Sequence, residues 1–295
     1  MSILNRGFDL TSQYGSIGGV TFRRVGGVTV ASQKVPAHSS AKRTPRLMLT
    51  RMRWVNLVML WRAINMKSWH PSFVRPTKRV SDFNEFMKVN VNRNVTFLTK
   101  DIAASLGCVI APVRLTSPSV LPSIVVDFNG NGVPESDLAV GTLSLGNSTT
   151  LKVFSDAIIN NNEDWNNGDK LTILIGHQLM ENTTIPVAKF DVIKVTLDNT
   201  ASTTLLKDVI DISLLAVVDG CLALSGPING GCAFIHSRIV NGETICSMQN
   251  LVVSNTYLAN YQGTQAFYAA VESYGGFAAA QTLTPDIPLL PDLEP

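Results

Sequence analysis

At 295 residues, with 45% apolar and only 16% charged residues, the chain fits a globular protein long enough for two domains and a sizeable core. Its longest apolar helical stretch, around Trp54–Ile64, is broken by Asn56 and Arg62 and is too short for a bilayer, and Met1–Phe8 lacks the apolar core of a signal peptide; the expectation is a soluble, non-secreted product. The net charge of +2 hides a split: residues 1–100 hold 17 Lys/Arg against 3 Asp/Glu, and residues 101–295 hold 7 against 19.

In chain order, residues 1–18 are polar and Gly-rich and read as an N-terminal arm. Residues 19–107 form a basic hairpin and helical docking region. Its head, from Gly18 to Lys34, reads as two strands joined at Gly26-Gly27, because both turn glycines take positive φ without steric cost. A two-stranded ribbon is marginal alone in water, so the head is expected to dock onto a partner. Residues 35–44 are a linker, and Thr44-Pro45 starts a helix to about Lys67. Leu47, Arg51, Trp54, Val58, Trp61 and Ile64 follow helical spacing, with apolar residues on more than one face. Trp54 and Trp61 read either as core packing or as interface anchors. Ser81 opens a second helix, and Thr99 caps a third that stops at Gly107.

From Cys108 the texture changes to short Val-, Ile-, Leu- and Thr-rich runs separated by Gly, Asn, Asp and Pro. They are 109–115, 123–128, 138–145, 170–175, 188–196, 214–223, 232–240 and 243–253. The fold class is α+β, mainly β: an antiparallel β-sandwich or barrel over residues 108–281, preceded by the basic β-hairpin and helical region. Helical insertions are expected at Lys152–Asn160 and Asn255–Ser273, and Asn241-Gly242 marks another hairpin. Residues 282–295 form a Pro-rich, acidic tail, extended or disordered.

No residue pattern spells out a reaction. GxSxG, HExxH and paired-carboxylate motifs are missing, and the four histidines are scattered; the protein is expected not to be an enzyme and to need no cofactor. His236 sits in a predicted strand where alternation places it among buried polar groups. Cys108, Cys221, Cys232 and Cys246 lack metal or redox spacing and read as buried reduced thiols. The loop Asp127-Phe-Asn-Gly-Asn-Gly132 matches half of a calcium loop, with Asp127, Asn129 and Asn131 as alternating oxygen ligands. The twelfth position is Leu138, which Asp137 replaces poorly, so a plain hairpin loop is the favoured reading. The candidate docking residues are Phe22, Arg23, Arg24, Lys34, Arg46, Arg51, Arg53, Trp54, Trp61 and Arg62. Cations interleaved with aromatics suit nucleic acid too, but no recognised nucleic-acid motif is present, and the acidic second half offers a complement within other copies of the same chain.

Val20-Thr-Phe-Arg-Arg-Val-Gly-Gly-Val-Thr-Val-Ala-Ser-Gln-Lys-Val, Met52-Arg-Trp-Val-Asn-Leu, Phe83-Asn-Glu-Phe-Met-Lys-Val-Asn, Phe97-Leu-Thr-Lys-Asp and Pro118-Ser-Val-Leu-Pro-Ser-Ile carry a resemblance. So do Phe234-Ile-His-Ser-Arg-Ile-Val-Asn-Gly-Glu-Thr-Ile-Cys-Ser-Met-Gln-Asn-Leu and Ser273-Tyr-Gly-Gly. Together these short patterns, spread over most of the chain, resemble structural proteins of crAss-like bacteriophages of Bacteroidales, the tail or neck rings beneath the portal. The resemblance implies a virion component made in the host cytoplasm and self-associating in a cyclic, dodecameric ring. It also implies neighbouring ring, portal or tail proteins as partners, with no membrane and no catalytic residues. DNA in the lumen is the alternative partner.

Overall fold

The computed structural model describes residues 15–17, 20–25, 28–33, 45–65, 81–117, 120–181 and 184–275. Contacts divide the chain into two compact units: residues 1–44 with 75–81, and residues 45–74 with 82–295. The linker at 35–44, the Gly26-Gly27 turn, His38, His70 and the tail from 282 lie outside the described residues.

In the first unit, β1 (Gly15–Ile17), β2 (Val20–Val25) and β3 (Val28–Gln33) form an antiparallel ribbon in that order. Val25 stands opposite Val28 and Val20 opposite Gln33, a register that leaves two residues for the turn. β1 lies within the stretch expected to be an arm and pairs Gly15 with Phe22.

The second unit begins with α1 (Pro45–Asn65), α2 (Asp82–Asn90) and α3 (Lys100–Ala104). Thr99 precedes α3 in extended backbone but makes no side-chain cap. Gly107 then packs on Ile102 so closely that a Cβ would lie 2.9 Å from the Ile102 carbonyl oxygen, which explains the glycine there. The remaining strands are β4 (Val113–Arg114), β5 (Val126–Phe128), β6 (Pro134–Ala139), β7 (Lys170–Glu181), β8 (Ile185–Thr196), β9 (Leu215–Val218), β10 (Cys221–Leu224), β11 (Gly230–Val240), β12 (Glu243–Cys246) and β13 (Asn250–Ser254). Helices α4 (Leu151–Asn161) and α5 (Gly263–Ser273) are inserted among and after them.

These strands make two antiparallel sheets, β5-β6-β10-β9 and β4-β13-β11-β7-β8, with β12 pairing the end of β11. Alternation along the central strands assigns every second residue to a different core. Leu171, Ile173, Ile175, Cys232 and Phe234 join Val126, Leu138, Leu222, Leu224 and Phe154 of α4 in one apolar cluster drawn from both sheets. Leu174, Ala233, Ile235 and Phe190 join Leu57, Leu60, Ile64 and Phe86 of α1 and α2 in the other. A third, smaller cluster gathers Met52, Phe97 and Phe267.

Several expected elements shift, each for a local reason. The 214–223 run splits into β9 and β10, because Asp219 and Gly220 take φ of 50° and 78° and reverse the chain. Of the 138–145 run only Leu138–Ala139 is strand, the end of β6, whose start at Pro134 is set by its pairing opposite Phe128; beyond it Gly141 takes φ of 61° in a turn. The 243–253 run breaks at Ser247–Gln249, where the backbone bonds His236 and Thr116 instead of continuing one ladder. The helix expected from Asn255 begins only at Gly263, after a short 3-10 turn at Leu258–Tyr261. Asn241 and Gly242 do take the positive φ values, 53° and 81°, that a two-residue hairpin requires.

The run expected as a strand from Val109 pairs only at Val113–Arg114. Before that, buried Cys108–Ile110 is extended without a ladder, and its backbone is satisfied mostly by carboxamides. The Cys108 N–H donates to the Pro186 carbonyl at 2.7 Å, and the Cys108 carbonyl accepts from Gln178 Nε2. Asn56 takes both groups of Val109, at 2.8 and 2.9 Å. The Ile110 N–H donates to Gln178 Oε1, and Asn255 Nδ2 donates to the Ile110 carbonyl. Ile110 lies over the opposed glycines Gly176 and Gly231, where a Cβ on either would come within 3.1 Å of it.

Replacing Asn56 by Ala strands both Val109 groups, so urea unfolding should lose about 2–4 kcal/mol, against less than about 0.5 for exposed Asn160→Ala. Gly230→Ala places a Cβ 2.0 Å from the Gly176 carbonyl oxygen. Because that neighbour is backbone in the sheet centre, a loss of about 3 kcal/mol is expected in the same assay.

Candidate functional site

The docking residues divide by position. Phe22, Arg23 and Arg24 lie in β2, where Phe22 is half-buried. Lys34, and the side chains of Arg23, Arg24 and Arg46, lie outside the described residues. On α1, Arg51, Trp54 and Arg62 are exposed and share one side of the helix, Trp54 at 40%, with Val55 and Val58 half-buried between them. The opposite side carries Met52, Leu57, Leu60 and Ile64 into the cores, so the buried stripe runs beside the expected one. Arg53 is half-buried. Trp61 packs edge-on to Phe83 at 5.7 Å and tilted on Phe86 at 5.2 Å, tying α1 to α2. The exposed arginine–tryptophan side is therefore anchored on a rigid helix.

The Asp127 loop closes on itself. Asn129 Oδ1 accepts the Asn131 and Val133 N–H groups at 2.9 and 3.0 Å, and Asn129 Nδ2 donates to Glu135. Asp137 Oδ1 accepts the Val125 N–H. Burial pushes the Asp137 carboxyl above its ordinary range, with backbone hydrogen bonds opposing. The loop's Asn oxygen thus serves its own turn, and no group of acids, histidines or cysteines suited to a metal occurs among the described residues.

The most concentrated polar chemistry is buried at the far end of β11. His236 Nε2 lies 2.8 Å from Asp169 Oδ2, and neither side chain is more than 2% exposed. Arg238, two residues along the same strand, grips Asp169 with Nε at 2.8 Å and Nη2 at 2.7 Å, and also donates to the Asp164 carbonyl. The Asn166 N–H donates to Asp169 as well. Trp165 stacks on the His236 ring at 3.8 Å, nearly parallel. Burial pushes Asp169 upward, but the Arg238, Asn166 and His236 bonds outweigh it and hold the carboxyl below 3.8. Burial drives His236 below 6.5, with Asp169 opposing only in part. The ring is therefore neutral, with its Nε2–H donated to the acceptor-only carboxylate. Nδ1 has no hydrogen-bond partner among the described residues, so no nucleophile is paired with this histidine. The cluster bolts the 164–169 loop to β11. Alternation signalled a buried His236, but Asp169 and Trp165 are 67 and 71 residues away and carried no local sign. Of the thiols, Cys108, Cys232 and Cys246 are buried, and burial lifts those of Cys108 and Cys232 well above the ordinary range.

Depressions on the surface of the described residues include a groove of about 530 Å³ beside β8 and one of about 480 Å³ between α4 and the Val140–Ser144 segment. No helix among the described residues is long and apolar enough to cross a membrane. No protein-family model, curated protein or solved structure matches the chain.

The His236 pair sets a direction for acid sensitivity. Below about pH 6.5 the unfolded chain protonates His236 while the folded chain, with its lower value, does not, so stability falls with pH. Asp169 adds a further loss below pH 4, as its depressed carboxyl is finally protonated. Urea midpoints should fall from pH 7 to 5 in the native chain and fall less steeply in His236→Gln. Equal slopes in both would show that His236 is not the group responsible.

Proposed function

We propose that the chain is a non-enzymatic structural subunit that assembles with copies of itself and with adjoining proteins, as a ring of a crAss-like phage tail or neck does. The observation that carries this reading is the arginine–tryptophan side of α1, held outward by a helix whose other side is locked into two cores. The charge split supports it: a basic first third faces an acidic remainder in every neighbouring copy, which favours head-to-tail contacts that close a cycle. In such a ring the two sheets act as a β-sandwich wall, and the ribbon and α1 are the fittings. The resemblance of the short sequence patterns to such ring proteins supports the virion setting.

The same arginines and Trp54 suit a nucleic-acid backbone, which makes DNA the competing partner. Two measurements separate these. Removing residues 1–40 should leave a folded β-rich body that no longer self-associates in sedimentation or native mass measurements; a truncation that unfolds the whole chain overturns the docking reading. In gel-shift titrations, binding to duplex DNA that weakens linearly in log–log form with salt would favour the DNA reading, and no shift at low salt removes it.

A further inference from the structure

Five asparagines are followed directly by glycine: Asn129, Asn131, Asn167, Asn229 and Asn241. At such a step the backbone nitrogen of the glycine can attack the preceding side-chain amide, because no Cβ shields it and the two groups are already neighbours. The fold restrains four of the five. Asn129 Oδ1 accepts the Asn131 and Val133 N–H groups while its Nδ2 donates to Glu135, so its amide turns toward Gly130 only by breaking those bonds. After Asn131 the attacking nitrogen is engaged instead, since the Gly132 N–H donates to the Asn129 carbonyl at 2.9 Å. Asn167 is held at both ends: its Oδ1 accepts the Asn199 N–H, and the Gly168 N–H donates to the Leu197 carbonyl. Asn229 Oδ1 accepts the Thr256 N–H, and Gly230 is buried in β11.

Asn241-Gly242 carries none of these restraints. Neither the Asn241 amide nor the Gly242 N–H has a hydrogen-bond partner among the described residues, and both residues are exposed. They form the tip of a hairpin that stands clear of its sheet: β7 ends opposite Ser237, and from Arg238 onward β11 pairs with β12 alone. Residues 239–244 are exposed throughout. We propose that Asn241 is the site at which the folded chain deamidates spontaneously, with water as the only co-reactant. The deprotonated Gly242 nitrogen bonds to Asn241 Cγ, the Cγ–Nδ2 bond breaks, and ammonia leaves with a proton from water, giving a five-membered succinimide. Water then adds to either of its carbonyl carbons and the ring opens to aspartate or isoaspartate. Both products place a new carboxylate close to Glu243. Isoaspartate also adds one carbon to the backbone, and the φ values of 53° and 81° that close a two-residue turn between Val240 and Glu243 then no longer serve. The β11–β12 ladder opens from its tip as far as Arg238, which Asp169 holds. Each copy thus changes charge and shape at this hairpin as it ages.

Ageing the full-length chain in mildly alkaline buffer, followed by peptide mapping and mass spectrometry, tests this. The amide-to-acid mass gain at Asn241 should grow ~10-fold or more faster than at Asn129, Asn131, Asn167 or Asn229, because each hydrogen bond that must open first adds to the barrier. In guanidinium chloride the five steps should react at comparable rates, which assigns the selectivity to the fold rather than to the neighbouring sequence. A native chain in which another of the five reacts as fast as Asn241, or in which Asn241 gains no mass, overturns the proposal. The isoaspartate fraction, separated by chromatography, should exchange the backbone amides of residues 239–245 faster than the unaged protein does; equal exchange overturns the opening of the hairpin.

Discussion

Everything in the second unit depends on satisfying the backbone of Cys108–Ile110. This segment is buried, yet it belongs to no ladder, and an unpaired buried peptide group costs about as much as the hydrogen bond it lacks. Asn56 reaches it from α1, Gln178 from β7 and Asn255 from beyond β13, while Pro186 of β8 closes the last donor. Three carboxamides, each able to donate and accept, thus join the helices, the sheet and the C-terminal segment at one place. The same stretch carries Ile110 into the dent left by Gly176 and Gly231, so hydrogen bonding and packing fix one another.

That junction explains why α1 is a firm platform. The helix is tied through Asn56, packed through Leu57, Leu60 and Ile64, and stacked through Trp61, so its outward residues need no further ordering to meet a partner. Affinity from a surface held ready in this way loses little to side-chain and backbone ordering. The ribbon differs: its strands are hydrogen-bonded to one another, and Val20 and Val30, on opposite faces, are each more than a third exposed.

The Asp169 cluster is a buried, hydrogen-bonded constellation that ties the 164–169 loop to β11. A histidine–carboxylate pair at 2.8 Å is common to many active sites, but here Arg238 shares the same carboxylate, Trp165 covers the ring, and no solvent reaches it. The pairing holds a negative charge inside the protein by surrounding it with donors, and breaking it leaves a buried charge uncompensated.

The sequence by itself determined the features that depend on neighbours in the chain. Asn241-Gly242 specified a reversal because few other pairs tolerate those φ values, and the helix expected at Lys152–Asn160 forms as Leu151–Asn161, capped by Thr150. The change of texture at Cys108 and the segregation of charge were equally plain. Tertiary structure alone decided which apolar residues serve which core, since alternation marks two faces without saying what covers either. It also decided that Arg51 and Trp54 point outward while Met52 and Leu57 point in, that 108–110 is clamped mostly by side chains rather than paired in a ladder, and that His236 meets Asp169. Turn and helix chemistry is written locally because it follows from φ, ψ and the next few residues; partners dozens of residues apart are chosen only when the whole chain competes to bury its apolar surface and satisfy its polar groups together.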